Sequence, residues 1–271
     1  VNIRAALAAA TARLAPHSET PRLDAELLMA HAVGVSREEL LLRRLDDPAP
    51  DTFAVLLSRR ERSEPVAYIV GRRAFWTIEI EVGPGVLIPR PDSETLIEAA
   101  LEYFGLEGPS SVLDLGTGSG ALLLAALDQW PDARGIGLDE SEEAIRIARR
   151  NVRNLGVRDR ARILSGGWTG RGGPHDLILC NPPYIRDDAE LPPEVVLHEP
   201  TGALFAGLDG LDNYRMIAPV LAPQLAPGGL ACIELGAGQR DAAAALFAAE
   251  GFTVSSRRDL RNIERCLLLS R

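Results

Sequence analysis

The chain has 271 residues, 46% of them hydrophobic and 25% charged, a balance that fits one large folded domain or two smaller ones and excludes a disordered tail, a collagen and a disulfide miniprotein. A formal net charge of −9 excludes a protein that coats nucleic acid through bulk charge. The 29 basic residues are all arginine, and without lysine there is no Walker-A phosphate loop, no Schiff-base chemistry and no kinase-type lysine.

Residues 3–15 predict an amphipathic helix with Ile3, Leu7 and Leu14 on one face, stopped by Pro16. That spacing, with Arg13, favours a helix over a secretion signal. Thr20-Pro21 predicts an N-cap and a first-turn proline for a second helix carrying Leu23, Leu27 and Leu28. Ser36-Arg37-Glu38-Glu39 reads as a capping box opening a short helix through Leu41, and Asp51 is expected to cap a helix over 52–62. The texture then changes. Residues 75–82 are aromatic and β-branched, and Gly83-Pro84-Gly85 is expected to turn them into Val86-Leu87-Ile88 as a hairpin linking two domains. Asp92 is expected to cap a helix over 93–103.

From Ser110 onward strands and helices alternate. Strands are predicted at 112–115, 135–138, 161–164, 176–180, 230–235, 252–255 and 264–269, with helices at 120–129, 213–225, 239–250 and, capped by Ser141, to Asn154. Near-continuous apolar strands in such an alternation mean an α/β fold with a largely parallel sheet covered on both faces. Cys180, Cys232 and Cys266 are far apart among apolar neighbours, so buried free thiols are expected, with no metal site and no disulfide framework. No apolar run approaches the ~20 residues needed to span a membrane.

Two motifs carry chemistry. Asp114-Leu115-Gly116-Thr117-Gly118-Ser119-Gly120 follows the first strand of the alternation and opens a helix. Its glycines allow a sharp turn and close approach of a ligand to backbone amides and the helix N-terminus. Asp139 ends the next strand, where a carboxylate accepts from ribose hydroxyls. Gly116-x-Gly118-x-x-Ala121 also satisfies a relaxed dinucleotide fingerprint, so this motif indicates an adenosine-containing cofactor without choosing one. Asn181-Pro182-Pro183-Tyr184 follows the strand at 176–180. Its two prolines remove two N–H donors and stiffen the chain. That leaves the Asn181 side-chain oxygen and the Pro182 carbonyl as acceptors, with Tyr184 as an aromatic face. Such a cradle suits a planar –NH2 group.

Together these motifs resemble the amino-methyltransferases of the class I S-adenosylmethionine-dependent fold. Further blocks make the chain similar to the PrmC/HemK family: Glu64-Pro65-Val66-Ala67-Tyr68-Ile69 with Gly71, Phe75-Trp76, Leu87-Ile88-Pro89-Arg90-Pro91-Asp92-Ser93-Glu94, Glu199-Pro200 and Glu234-x-Gly236. The resemblance covers nearly the whole chain. It implies a Rossmann-like, mostly parallel seven-stranded sheet, and methylation of the glutamine in the Gly-Gly-Gln loop of bacterial peptide chain release factors. It also implies a division into a helical release factor-binding domain at 1–74, a hairpin linker at 75–90 and a catalytic domain at 91–271.

The cofactor implied is S-adenosyl-L-methionine, leaving as S-adenosyl-L-homocysteine. By the resemblance, Asp114, Gly116, Thr117, Gly118, Ser119 and Gly120 form its loop, Asp139 binds its ribose and Trp168 lies beside its adenine. Asn181, Pro182, Pro183 and Tyr184 match the substrate glutamine site, with Asn181 also near the cofactor and Asn181, Pro182 and Tyr184 as the catalytic set. Two positions depart from the family: Gly167 stands where an acid is usual before the tryptophan, and Ser93 replaces the commoner threonine. The expected protein is a cytoplasmic monomer without direct nucleic-acid or membrane partners. Adenine or guanine amino-methylation of nucleic acid is the rival reading. A nicotinamide-dependent oxidoreductase would leave 181–184 without a role. Asp187 and Asp188 are expected to solvate a loop and His198 to be structural. Arginines 59, 60, 62, 72 and 73 are expected either to face acidic partners or to line a solvated face.

Overall fold

A computed structural model describes residues 1–170 and 172–271. The chain divides into two units, Val1–Arg72 with Leu191–Glu199, and Arg73–Glu190 with Pro200–Arg271. Beside a boundary at residue 74, the first unit ends slightly earlier and takes in a short stretch from far along the chain that no change of composition marks.

The first unit is helical: α1 (Ile3–Leu14), α2 (Pro21–Val33), α3 (Arg37–Glu39), a π-helical turn over Leu40–Arg44, α4 (Thr52–Arg60) and α5 (Val66–Val70). Ile3, Leu7, Ala10 and Leu14 recur at helical spacing and pack with Ala25, Leu28 and Met29 of α2, Phe53 and Leu57 of α4 and Ile69 of α5. The Asn2 side chain caps α1 and Ser36 caps α3. Thr20 and Asp51 do not form the caps expected of them. The Thr20 hydroxyl instead donates to Asp24 (3.2 Å), a buried carboxylate that also takes a 2.7 Å bond from the buried Arg60 guanidinium. Arg60 reaches Glu194 as well, 2.8 Å away in the short helix Pro193–His198. Arg60 is therefore an internal tie rather than a displayed cation.

The second unit opens on a two-stranded sheet of β1 (Arg72–Phe75) and β2 (Ile78–Glu81). The expected turn at Gly83–Gly85 is not the hairpin turn. The chain reverses earlier, at Trp76-Thr77, with Trp76 at φ +55°. The Trp76 N–H donates to Glu94 Oε1 (2.8 Å) and its indole N–H to Gln129 (3.2 Å), which hold this uncommon conformation for a bulky residue. Asp92 also departs from expectation. It lies in a 3₁₀ turn, Pro91–Ser93, and its carboxylate faces Arg261 and Arg265 instead of capping the helix.

Then come α6 (Glu94–Phe104), β3 (Ser111–Leu115), α7 (Ala121–Gln129), β4 (Arg134–Asp139), α8 (Glu142–Asn154), β5 (Ala161–Ser165) and β6 (His175–Cys180). After the short helix of the first unit follow α9 (Asp212–Leu221), β7 (Leu225–Glu234), α10 (Arg240–Ala249), β8 (Thr253–Arg258) and β9 (Glu264–Ser270). The predicted helix at 213–225 stops early because Pro223 allows only a 3₁₀ turn, Ala222–Gln224, before β7 begins.

The seven strands order as β5-β4-β3-β6-β7-β9-β8. The first five run parallel and β9 lies antiparallel between β7 and β8. This is the class I methyltransferase arrangement of an α/β fold. Leu113, Leu115, Ile178, Cys180, Ala231 and Ile233 of the central strands pack with Tyr214, Ile217 and Leu221 of α9 and Phe247 of α10.

The register is what positions the site. Leu138 pairs with Leu115, Leu115 with Cys180 and Cys180 with Ile233. The next residue on each strand therefore stands in one row across four strand ends: Asp139, Gly116, Asn181 and Glu234. The row crosses the point where the chain order reverses, between β3 and β6, the place where open α/β sheets bind ligands.

Candidate active site

The glycine loop is built from within. Gly116, Gly118 and Gly120 all take positive φ, at +70°, +56° and +85°, which only glycine adopts freely. The Thr117 N–H donates to the Leu138 carbonyl (2.8 Å) and Gly120 N–H to the Thr117 carbonyl (2.8 Å). Asp114 accepts from the Thr117 hydroxyl (2.6 Å) and from Leu123 N–H in the first turn of α7 (3.3 Å). Burial pushes the Asp114 carboxyl up to about 7 against these bonds, which favour its charged form. Asp114, Thr117 and Ser119 are buried, whereas Gly116 is exposed and Gly118 partly so. The buried three, with the buried Gly120, thus shape the loop from behind, and Gly116 and Gly118 present its open side.

Asp139 joins that open side. One carboxylate oxygen accepts from Gly118 N–H (2.8 Å) and the other from Ser141 N–H (2.9 Å), so the acid is fixed in place. Each oxygen keeps a further lone pair for a ligand. Across the loop the Trp168 ring lies so close to Gly116 that a Cβ there would sit 3.4 Å from it. Gln224 donates to the Trp168 carbonyl (3.0 Å) and holds the residue. The loop, a fixed acid beside it and a half-buried indole fit the parts of S-adenosylmethionine: amides for the carboxylate, Asp139 for ribose hydroxyls and Trp168 for a flat base. At Gly167 a Cβ would approach to 2.6 Å from Glu140 Oε1, so the missing side chain leaves that space beside the Glu140 carboxylate.

The second half of the site is the turn after β6. Asn213 donates to the Pro183 carbonyl (2.9 Å) and Gln239 to the Tyr184 carbonyl (2.9 Å). The Tyr184 hydroxyl donates to Glu234 Oε1 (3.1 Å), and Asn181 Nδ2 donates to Ser93 Oγ (3.2 Å). Among the described residues, none donates to Asn181 Oδ1 or to the Pro182 carbonyl. Those are the two acceptors the motif was expected to offer. They begin one strand away from Gly116, roughly 4.8 Å across a parallel pair.

Glu234, Ser93, Asn213 and Gln239 were not singled out as site residues from the sequence. A lone carboxylate ending the apolar run 230–235 was the available signal for Glu234. Nothing local marks the two amides. Glu234 is fully buried. Burial pushes its carboxyl up to about 7 while Ser93, Tyr184 and Arg265 favour its charged form and Asp92 opposes it. The Tyr184 hydroxyl is pushed up in turn by burial and by Glu234.

Two family models match the chain: the PrmC N-terminal domain over residues 5–71 and the methyltransferase small domain over residues 93–197. The release factor glutamine methyltransferase of Caulobacter vibrioides is 43% identical over 258 residues, 92% of this chain and 89% of the relative. That of Rhodospirillum rubrum is 44% identical over 261 residues, 93% of this chain and 80% of the relative. The chain belongs to the release factor glutamine methyltransferase family. A crystal structure of a methyltransferase from Pyrococcus furiosus shares the fold, with a TM-score of 0.54 and 20% identity over 72% of this chain and 90% of that one.

For a release factor glutamine methyltransferase, the remaining polar candidates have modest roles. Asp187 accepts from Gly207 N–H (3.1 Å) and Asp188 pairs with Arg186 (2.7 Å), both within one loop. His198 Nε2 lies 3.3 Å from the Arg62 carbonyl, and Arg59 is bound to Glu64 (2.8 Å). Cys180, Cys232 and Cys266 are buried free thiols. Among the described residues no group of His, Cys, Asp or Glu could hold a metal ion, and no helix is long and apolar enough to cross a membrane.

Proposed function

We propose that the chain transfers a methyl group from S-adenosyl-L-methionine to the side-chain amide nitrogen, N5, of the glutamine in the Gly-Gly-Gln motif of bacterial peptide chain release factors. The observation that carries this reading is the pair of acceptors, Asn181 Oδ1 and the Pro182 carbonyl, which begins at the register row of the glycine loop, Asn181 level with Gly116. S-adenosylmethionine, when bound, supplies an electrophilic methyl group. Gly116, Gly118, Asp139 and Trp168 would hold it, with Asp114, Thr117, Ser119 and Gly120 keeping the loop in shape.

An amide nitrogen is a poor nucleophile because its lone pair is delocalised. Positioning must supply much of the rate, and well-oriented pairs gain roughly 7–11 kcal/mol from that source. The two acceptors each take one N–H of the glutamine amide and aim the nitrogen. Both bonds strengthen as positive charge develops on that nitrogen, which favours the transition state over the ground state. Pro183 keeps the turn rigid, and Tyr184, fixed at both its hydroxyl and its carbonyl, presents a ring to the amide plane. The N-terminal helical unit is assigned to gripping the release factor, within the division 1–74, 75–90 and 91–271. We further place the protein in the cytoplasm as a monomer, without direct contact to nucleic acid.

Incubation with labelled S-adenosylmethionine and either an intact release factor or duplex DNA tests this reading. Label is expected on the Gly-Gly-Gln glutamine. Label on adenine or guanine, with the release factor untouched, would replace it with nucleic-acid amino-methylation.

A further inference from the structure

The side-chain amide of Asn181 has two orientations of nearly equal shape, and only one offers its oxygen to a substrate amide. What fixes the orientation is therefore a question of proton supply. Asn181 Nδ2 points at Ser93 Oγ, 3.2 Å away. Ser93 is buried at the end of the turn before α6, and its hydroxyl approaches the carboxylate of the fully buried Glu234. The Tyr184 hydroxyl donates to Glu234 Oε1 (3.1 Å), while Glu234 Oε2 is buried and has no hydrogen-bond partner among the described residues. An ionised carboxylate only accepts. A serine hydroxyl has one proton, and beside a buried carboxylate that needs a donor the proton is drawn there. The serine oxygen then has lone pairs alone to offer Asn181. Carbonyl oxygen facing serine oxygen would set two acceptors against each other, a penalty magnified by burial.

Resting on the function proposed above, we propose that Ser93 and Glu234 are positioning residues that set the polarity of the Asn181 amide. Glu234 accepts a hydrogen bond from the Ser93 hydroxyl, Ser93 Oγ accepts from Asn181 Nδ2, and Asn181 Oδ1 is left turned to the substrate glutamine. The same carboxylate orients the Tyr184 ring, so one buried group aligns both ends of the substrate turn. Threonine carries the same hydroxyl, and the inference requires that it substitute for Ser93.

The test uses the full chain at pH 8 with Ser93→Ala and Ser93→Thr. In single-turnover methylation of release factor, Ser93→Ala is expected to slow the methyl-transfer step at least about 10-fold through loss of the hydrogen bond that holds the catalytic amide. The concentration of release factor giving half-maximal rate and the affinity for S-adenosylhomocysteine are expected to hold within about twofold, since in this proposal Ser93 acts only through Asn181. Ser93→Thr is expected to stay close to the wild-type rate. An independent reading comes from the side-chain amide protons of Asn181 in asparagine-labelled protein without ligands. They should exchange slowly in the wild type and in Ser93→Thr, and rapidly in Ser93→Ala. A wild-type methylation rate in Ser93→Ala, or unchanged Asn181 amide exchange, overturns the inference. Failure of the wild type to methylate release factor would instead strike at the proposed function, and the amide exchange, which needs no substrate, would still decide the question of polarity.

Discussion

Asn181 and Asp139 stand in the same register row and are expected to fail in different ways when truncated. Asn181→Ala removes an acceptor whose bond strengthens as the substrate nitrogen gains charge. Loss of one preorganised partner of this kind costs about 10²–10³ in turnover. Single-turnover methylation at saturating release factor should show that loss with little change in release factor docking. Asp139→Ala tests the proposed cofactor site. It removes the charged acceptor proposed for ribose hydroxyls and also releases Gly118 N–H and Ser141 N–H, which the carboxylate now holds. With charged hydrogen bonds worth about 1.5–3 kcal/mol, affinity for S-adenosylhomocysteine should fall roughly 10- to 150-fold by calorimetry. Unchanged affinity would remove Asp139 from the ribose site. The positions of both residues were legible in the sequence because Asp139 ends one recognisable strand and Asn181 directly follows another. Ser93 and Glu234 were not legible as partners of Asn181, because their meeting depends on three separate elements converging.

At the scale of elements, β7 carries an electrostatic load at its end. Glu234 is fully buried there, with Tyr184 and Cys180 facing it from the β6 side, Ser93 and Asp92 from the turn before α6, Arg265 and Cys266 from β9, and Tyr214 from α9. Its folded pKa of about 7 lies above the ordinary 4.5. A raised carboxyl favours folding in its neutral form, so its contribution is fully present below pH 4.5 and is lost as pH rises through 7. Glu234→Gln does not titrate. In urea unfolding, the stability of Glu234→Gln relative to wild type should therefore rise between pH 5 and pH 8, by on the order of 2–3 kcal/mol. A difference independent of pH would show that the carboxyl does not titrate in that range. The strands themselves were largely readable, since buried parallel strands are plain apolar runs. The hairpin was not. Gly83-Pro84-Gly85 has turn composition, yet the reversal occurs at Trp76-Thr77 because Glu94, eighteen residues on, supplies the acceptor that steadies it. Caps failed at Thr20 and Asp92 because each side chain found a charged partner, Asp24 in the first turn of α2 for Thr20 and Arg261 far along the chain for Asp92.

At the scale of the whole molecule, the first unit is discontinuous in sequence. Arg60 binds Asp24 of α2 and Glu194 of the stretch Leu191–Glu199. Its guanidinium ties those nine residues to helices far away in sequence, beside the His198 contact with the Arg62 carbonyl. Arg60→Met leaves the Asp24 carboxylate buried and uncompensated, and breaking a buried pair in this way costs about 3–5 kcal/mol. Thermal unfolding should register that loss. Limited proteolysis should cut faster between residues 186 and 200, while S-adenosylhomocysteine affinity stays near wild type because none of the residues proposed to hold the cofactor lies in the first unit. Equal proteolysis of variant and wild type would show that other contacts hold the stretch.

The register row has a consequence for how such a chain can vary. A strand advances about 3.3 Å per residue and alternates its faces, so the paired ends of β3, β4, β6 and β7 act as rulers held in one register. Deleting one residue within His175–Cys180 would draw Asn181 back by one step and turn its side chain through the sheet to the opposite face, and the same holds for Glu234 at the end of β7. Length can change freely in the connections between strands, where no row is kept. Among chains that perform this chemistry, insertions and deletions are therefore expected in the loops, with the spans from each strand's first paired residue to its final functional residue free of gaps.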